Sequence, residues 1–309
     1  MSAQPTFSGT RPASSTPTPT PTPTRTSSKG KGVARIGEGR WYVYAVLAAV
    51  LAGSMFPLYW SYVVASTESA TASSNVPVLV PGGNFLANAA KVFDTVPFWS
   101  AFLNSVLVSV VVTASTLFFC TLAGYAFAKL KFRGSNAMFG FIVLTLAIPP
   151  QLGVIGLYRL MATWGWTGKI GAVIVPALVS AFGVFFMRQY LAGVIPDELI
   201  EAARMDGAGH FRTFLTVAVP AARPAAAVLG LFTFIGTWTD FFWPFIVLRD
   251  PSVQTLQTAL QQLTASAGNN PDLAVVLSGS LLSVAPLLIL FLVAGKQLVA
   301  GIMAGAVKN

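Results

Sequence analysis

Charged residues are scarce in this chain of 309 residues. Only 9% of the residues are Asp, Glu, Lys or Arg, whereas 54% are hydrophobic, and the mean hydropathy is +0.69. A soluble globular domain carries about 25% charged residues. The composition therefore excludes an ordinary soluble protein and predicts a chain that lies in a lipid bilayer.

Cysteine and histidine are almost absent as well. The single Cys120 forms no disulfide within the chain, and the single His210 belongs to no cluster with the spacing of metal ligands. The sequence also lacks the GxxxxGK[ST] loop that cradles nucleotide phosphates. We therefore predict no metal, no cofactor and no ATP hydrolysis by this chain, which is not expected to be an enzyme.

Long apolar runs are what the chain has in abundance. Each run holds about 20 residues of helix, or nearly so, which is the length that a bilayer core requires. The six runs cover residues 41–65, 98–128, 134–158, 170–187, 224–239 with a continuation past Asp240 to 248, and 273–295. The predicted fold class is all-α, a polytopic membrane protein with six transmembrane helices. Pro149 and Pro150 interrupt the third run, so we expect a kink there.

The basic residues predict the orientation of these six spans. Fifteen of the 19 Lys and Arg residues lie in the N-terminal tail, the loop between spans two and three, the region between spans four and five, and the C-terminus. The alternate loops hold only Lys91, Arg159, Lys169 and Arg249. Cytoplasmic loops carry the excess of Lys and Arg. Both termini should therefore be cytoplasmic, in a multi-pass protein of the cell membrane.

An alternative interpretation of the first run is a signal peptide, with Ala70-Thr71-Ala72 as its cleavage site. Cleavage would leave five spans. The length of the run, its distance from that site and the charge count favour an uncleaved first helix. Residues 1–38, which include the repeat from Pro17 to Thr24, are too poor in apolar residues to fold and should form a disordered cytoplasmic tail.

The external loops are expected at 66–97 and 249–272. The second loop contains a short amphipathic segment, 256–263, which either packs against the spans or reaches towards another protein. Asp240, in the sequence TWTDFFWPF, is the only carboxylate within an apolar run. Because an ionised group at membrane depth is costly, Asp240 should face a wet cavity. Trp238 and Trp243 either stack on a sugar in the transport path or form an interfacial aromatic belt.

Residues 196–224 combine charge, a glycine turn and a helical pattern. Pro196, Asp197 and Glu198 open a helix, because proline suits the first turn and carboxylates meet the positive end of the helix dipole. Asp206 and Gly207 should close it, and a second helix should run from about Gly209 to Pro220. Ala202 and Ala203 leave one side of the first helix nearly bare for docking, with Leu199 and Ile200 as its apolar anchor. The alternative is an amphipathic helix on the lipid surface.

This stretch resembles the EAA loop of binding-protein-dependent ABC importer permeases, whose pattern is EAA, then DGA, then an aliphatic-x-aliphatic-Pro. The matching residues are Glu201, Ala202, Ala203, Asp206, Gly207, Ala208, Phe214 and Pro220. Val217 and Val219 stand where the pattern more often has Ile and Leu. The resemblance implies that the first six of these residues couple the chain to a groove on a separate cytoplasmic ATPase.

From Phe98 onwards the chain is most similar to the MalG-like permeases of carbohydrate importers. The supporting pieces are NSVLVSV, GYAFAKLKFRG, IPPQ, WTDFFWP and the ending QLVAGIMAGAVKN. The resemblance implies a type I permease domain over 98–297, with the EAA loop at 196–224, preceded by a first helix and external loop at 39–97 and followed by a cytoplasmic tail at 298–309. Asp240 stands where the family often has Asn or Glu.

The partners that this resemblance implies are a second permease, an ATPase dimer, an extracytoplasmic solute-binding protein and a sugar or oligosaccharide. No nucleic-acid partner is expected. In that family the loop equivalent to 249–272 can reach towards the binding protein, and the tail towards the ATPase. The alternative function is an ion-coupled secondary transporter of a small polar solute. One intramembrane carboxylate and no evident repeat give it little support.

The orientation is testable with single cysteines in a Cys120→Ser background. Cysteines at Ser73 and Ser266 should react with a membrane-impermeant thiol reagent from outside the cell, and cysteines at Ser28 and Thr213 only after permeabilisation. Labelling of the EAA loop from outside would contradict the predicted orientation.

Overall fold

The computed structural model describes residues 41–68, 78–265 and 271–306, and all regular structure within them is helical. The helices are α1 (Trp41–Ala65), α2 (Phe85–Thr95), α3 (Phe98–Lys129), α4 (Ser135–Thr145), α5 (Val154–Thr163), α6 (Gly171–Ile174), α7 (Ala181–Val194), α8 (Asp197–Met205), α9 (His210–Thr213), α10 (Val219–Trp238), α11 (Phe242–Val247), α12 (Leu256–Ala265) and α13 (Leu273–Ala306). Short 3-10 turns occupy Pro150–Gly153, Val175–Ala177 and Pro251–Val253, and a π-helical turn occupies Phe214–Ala218.

The chain divides into two units, residues 1–53 and 54–309. Of the first unit the structure describes residues 41–53, which are the first half of α1. The predicted disordered tail at 1–38 and the alternative cleavage site at Ala70-Thr71-Ala72 lie outside the described residues. The second unit contains every contact discussed below.

Five of the six predicted spans are confirmed as helices long and apolar enough to cross a membrane. They cover Trp41–Ala65, Phe98–Lys129, Gly171–Val194, His210–Val247 and Leu273–Leu292. The helix of the last span continues to Ala306, so it runs on into the segment at 298–309 that was expected to be a tail.

The third predicted span is not a single kinked helix. Its two halves, Ser135–Thr145 and Pro150–Thr163, meet at an angle of 94°. Pro150 has no N–H to donate, and Pro149 disfavours the helical conformation of the residue before it. The two consecutive prolines therefore end α4 completely, and the chain changes direction before the next helical turn begins.

The centre of the second unit is a close crossing of α3 and α7. A Cβ atom at Gly124 would lie 2.7 Å from Met187 Cβ, and one at Gly183 would lie 2.7 Å from Cys120 Sγ. Small residues at such a crossing let two backbones approach closely, which gains van der Waals contact where lipid gives no hydrophobic driving force. Buried side chains of α3, α7, the π-helical turn and α10 surround this crossing and form the inner core, which includes Tyr125, Met187, Leu191, Phe214 and Leu229.

A second core lies towards the other end of the unit. The predicted amphipathic segment is helix α12, which buries Leu256, Leu260 and Leu263 against α13 and α3. The structure therefore supports the packing interpretation of this segment. The loop expected at 66–97 contains helix α2, whose Val92 joins the same core. Its apolar residues stand among Ser, Asn, Pro and Gly residues, so the composition of the segment indicated a loop.

One labelling position proposed above is unsuitable, because Thr213 is only 2% exposed. His210, at the start of α9, is exposed and serves as the labelling position for the EAA loop. Ser28, Ser73 and Ser266 lie outside the described residues.

The crossing of α3 and α7 is testable by adding one methyl group. Gly124→Ala should lower the thermal midpoint of the purified protein, because overpacking of a tight contact costs about 1–3 kcal/mol. The matched control is Gly193→Ala on α7, the other helix of the crossing, where a Cβ atom would meet nothing within 4 Å. Equal midpoints for the two variants would show that the crossing is loose.

Candidate functional site

Helix α8 begins and ends as the sequence predicts. Pro196 precedes its first residue in an extended conformation, and Asp197 and Glu198 occupy its first turn. Asp206 is the C-cap, and Gly207 follows with φ of +75°. A positive φ of this size costs an L residue roughly 1–2 kcal/mol, whereas glycine adopts it freely. Gly207 thus sets the direction in which the chain leaves α8 for α9.

One apolar residue fixes α8 to its own chain. Ile200 is only 4% exposed and belongs to the inner core with Leu191, Ile195 and Phe214. The prediction that Ile200 anchors a partner protein is therefore wrong. An amphipathic sequence pattern predicts that one face of a helix is buried, but it does not reveal whether that face packs against the same chain or another one.

The outward side of α8 is apolar and uncovered. Met205 is 88% exposed, Leu199 is 47% exposed, and Ala202 between them is exposed as well. Met205 was not among the predicted docking residues, although its spacing from Leu199 and Ala202 places all three on neighbouring positions of one helix face. Glu201 is exposed on the adjacent side, and among the described residues it forms no ion pair within 4.0 Å.

An ion pair joins the start of α8 to the end of α3. Lys129 Nζ donates to Asp197 Oδ1 at 2.6 Å, with the lysine side chain buried and the aspartate exposed. This hydrogen bond and the charge of Lys129, helped by Lys131, hold the pKa of the Asp197 carboxyl below its usual value. A lowered pKa means that the pair is fully present at neutral pH and is lost only as the pH falls through that lowered value.

The second helix of the EAA loop does not stop at Pro220, the end predicted from the sequence. The helical path continues from His210 through the π-helical turn Phe214–Ala218 and along α10. Proline has no N–H to donate, and in a regular α-helix its ring clashes with the carbonyl four residues earlier. The wider turn immediately before Pro220 changes that hydrogen-bonding register, and the helix passes through the proline without ending.

A small cavity lies near the opposite end of this long helical path. It has a volume of about 290 Å³. Asp240 lines it in the break between α10 and α11, and the backbone N–H groups of Phe242 and Trp243 point towards the carboxylate. The remaining lining residues come from α10, from α11 and from the segment around α6: Val173, Pro176, Ala177, Gly236, Thr237 and Trp243. Asp240 therefore faces a cavity, which is the environment expected from the cost of burying its charge.

The two tryptophans have different positions. Trp243 lines the cavity and donates its indole N–H to the carbonyl of Ala172 at 2.9 Å. Trp238 is 1% exposed, lies between Phe102 and Phe234, and donates to the carbonyl of Ser283 at 3.1 Å. The expectation that Trp238 faces the transport path or an aromatic belt is therefore wrong, because its ring already packs on both sides within the second core.

Comparison with known proteins shows the protein family to which the chain belongs. Residues 120–299 match the family described as the binding-protein-dependent transport system inner membrane component. The arabinooligosaccharides transport system permease protein AraQ of Halalkalibacterium halodurans is 35% identical over 212 residues, which cover 69% of this chain and 75% of that protein. AraQ of Bacillus subtilis is 33% identical, with 73% and 77% covered.

A more distant relative covers more of the chain. The sn-glycerol-3-phosphate transport system permease protein UgpE of Shigella dysenteriae is 26% identical, with 84% of this chain and 94% of that protein covered. A chain in the crystal structure of a bacterial ABC transporter involved in the import of the acidic polysaccharide alginate has a TM-score of 0.70 at 24% identity. The likeness covers 82% of this chain and 96% of that chain, and it shows a shared fold.

The chain belongs to the family of binding-protein-dependent transport system inner membrane components. It is a multi-pass membrane protein with the all-α permease fold of ABC importers, as the resemblance implied. A permease of this family is not an enzyme, and ATP hydrolysis takes place on a separate ATPase. The ion-coupled secondary transporter considered above belongs to a different class and is excluded by this membership.

Proposed function

We propose that this chain forms half of the translocation path for a sugar or oligosaccharide in an ATP-driven importer. The observation that carries the proposal is the match to two permeases named for arabinooligosaccharide transport, over more than two thirds of the chain. The named solutes of other relatives include a glycerol phosphate and an acidic polysaccharide, so the family fold alone does not determine the solute. The lining of the cavity suits a polar solute, with Asp240 and Thr237 as hydrogen-bonding groups beside the Trp243 ring.

Helix α8 is the proposed coupling element. Its apolar outward face of Leu199, Ala202 and Met205 suits a groove on the ATPase, and Glu201 beside it is free to accept a hydrogen bond from a cation there. The small side chain of Ala203 allows another protein to approach the helix closely. Asp206, Gly207 and Ala208 form the bend that sets the angle between α8 and α9.

Movement of α8 must reach the membrane spans if ATP binding is to drive transport. Ile200 packs into the inner core, and Lys129 binds Asp197, so α8 is joined to α3 and α7 at two places. A partner shifts a conformational equilibrium only through its differential affinity for the two states. We infer that the ATPase dimer acts by preferring one position of α8, which these contacts transmit to the spans.

Two further partners are proposed, and the description of the family as binding-protein-dependent supports the solute-binding protein. They are a second permease, which completes the path, and an extracytoplasmic solute-binding protein. The proposed orientation has both termini and the EAA loop at 196–224 in the cytoplasm, and the proposed transport domain covers 98–297. This orientation places α8 beside the ATPase and the Asp240 cavity towards the outer side.

The coupling role is testable in the reconstituted importer with Glu201→Lys. Reversing a charge on a docking surface commonly costs about 2 to 5 kcal/mol when its partner is buried. We expect assembly with the second permease to persist, while the ATPase is lost from pull-downs or is no longer stimulated by binding protein and sugar. Asp94→Lys is the matched control, because Asp94 is also exposed but lies on α2, which packs in the second core and not in the inner core that holds the EAA loop.

A second variant separates geometry from charge. Gly207→Val adds a β-branched side chain at a positive φ, costs roughly 1 to 2 kcal/mol locally, and turns α8 away from its angle. Normal stimulation and uptake with both Glu201→Lys and Gly207→Val would refute the assignment of this loop as the coupling element.

The transport path is testable at Asp240. Asp240→Asn keeps the shape of the side chain and removes its charge, so the complex should assemble while uptake rate or solute selectivity changes. The measurement is uptake of labelled sugar into vesicles, beside the subunit content of the purified complex. Unchanged uptake with reduced assembly would mean that Asp240 only stabilises the break between α10 and α11.

A further inference from the structure

A groove lined by cationic side chains runs between α8 and the loop that joins α3 to α4. It consists of two adjoining cavities of about 660 and 730 Å³, which share the loop residues 130–132 and the side chain of Arg204. Its basic residues are Lys129, Lys131, Arg133, Arg204 and His210, and we call it the basic groove. It lies beside the face of α8 that carries Glu201, and apart from the outward face of Leu199, Ala202 and Met205.

The charges of the basic groove do not cancel within the chain. Lys129 and Asp197, which also line it, are bound to each other at 2.6 Å. Lys131, Arg133 and Arg204 remain against one carboxylate, Glu201, and among the described residues none of these three cations has an ion-pair partner within 4.0 Å. The groove therefore attracts an anion.

The start of α4 adds to this attraction. Its N-cap is Gly134, with φ of +84° and no side chain to satisfy the first N–H groups of the helix. Asn136 and Ala137, in that first turn, line the basic groove. Free N–H groups and the positive end of the helix dipole favour a phosphate, and here they act together with three cationic side chains.

The position of the groove indicates where the phosphate comes from. Residues 130–134 join the last residue of the span Phe98–Lys129 to the first residue of α4, so they lie at the level of the lipid headgroups. Beyond the groove, α4 exposes Met138 and Phe141, two large apolar side chains that acyl chains would cover. Cationic side chains at this level with exposed apolar side chains beside them suit an anionic phospholipid.

We propose that the basic groove binds the headgroup of an anionic phospholipid, which joins the coupling helix α8 to the α3–α4 loop. Clustered Lys and Arg residues beside a span are the usual means by which proteins hold such headgroups. The phosphate is held between Lys131 and Arg133 on the loop side and Arg204 on the α8 side. The membrane composition then influences how firmly α8 is attached to the spans.

The test uses the complete importer, purified with its partner subunits, in nanodiscs of phosphatidylcholine with or without phosphatidylglycerol. The variant is Lys131→Gln with Arg133→Gln, which changes two exposed loop side chains and leaves α8 intact. Native mass spectrometry counts the retained phosphatidylglycerol. We expect the variant to bind it about five-fold more weakly for each cation removed. Stimulation of ATPase activity by phosphatidylglycerol should fall with it.

Two controls test whether the loss of lipid depends on the position and on the charge of the substituted residues. Lys169→Gln removes one exposed cation between α5 and α6, away from the groove, and should retain phosphatidylglycerol as the wild type does. The charge-preserving pair Lys131→Arg with Arg133→Lys should also retain it, which separates loss of charge from damage to the loop.

Three outcomes would overturn the proposal. Equal retention by the wild type and the double Gln variant would show that the groove holds no lipid. Displacement of the lipid signal by inorganic phosphate at equal concentration would make the groove a site for free anions. Loss of the ATPase subunit from the double variant in pure phosphatidylcholine would show that an acidic part of the ATPase fills the groove.

Discussion

The close crossing of α3 and α7 is the contact on which the other positions depend. It exists because Gly124 and Gly183 present no side chain at the points where the two helices come nearest. The rest of the inner core, including Tyr125 and Phe214, packs around this crossing. Lipid tails are as apolar as the side chains, so there is no hydrophobic driving force for helices to associate in a bilayer. Close packing of complementary surfaces therefore supplies much of the association energy.

The position of the EAA loop depends on that crossing. Its first helix is held by Ile200 in the inner core and by the pairing of Asp197 with Lys129, and both supports are parts of the crossed helices or lie directly on them. What remains exposed is a narrow apolar face ending at Met205. The same geometry therefore secures one side of the loop to the membrane domain and leaves the other side for a partner.

Much of this arrangement could be predicted from the sequence, because apolar length, charge distribution and capping chemistry are local properties. Five spans, the ends of α8 and the positive φ at Gly207 follow from such local rules. The continuation past Pro220 could not be predicted, since it depends on a wider turn that compensates for the proline. The burial of Trp238 was equally hidden, because the pattern does not say which face meets Ser283 on a distant helix.

The unbroken path from the EAA loop into the fifth span has a mechanical consequence. It extends as continuous helix from His210 to Trp238, and Asp240 follows in the break before α11. At 1.5 Å per residue, Asp240 lies about 45 Å along it from the end that meets α8. A rotation of about 5° around that end displaces the Asp240 side by about 4 Å, which is more than the width of a water molecule. The π-helical turn and the two prolines, Pro220 and Pro224, lack regular backbone hydrogen bonds, so the path bends most easily near its driven end and remains a stiff lever arm beyond it.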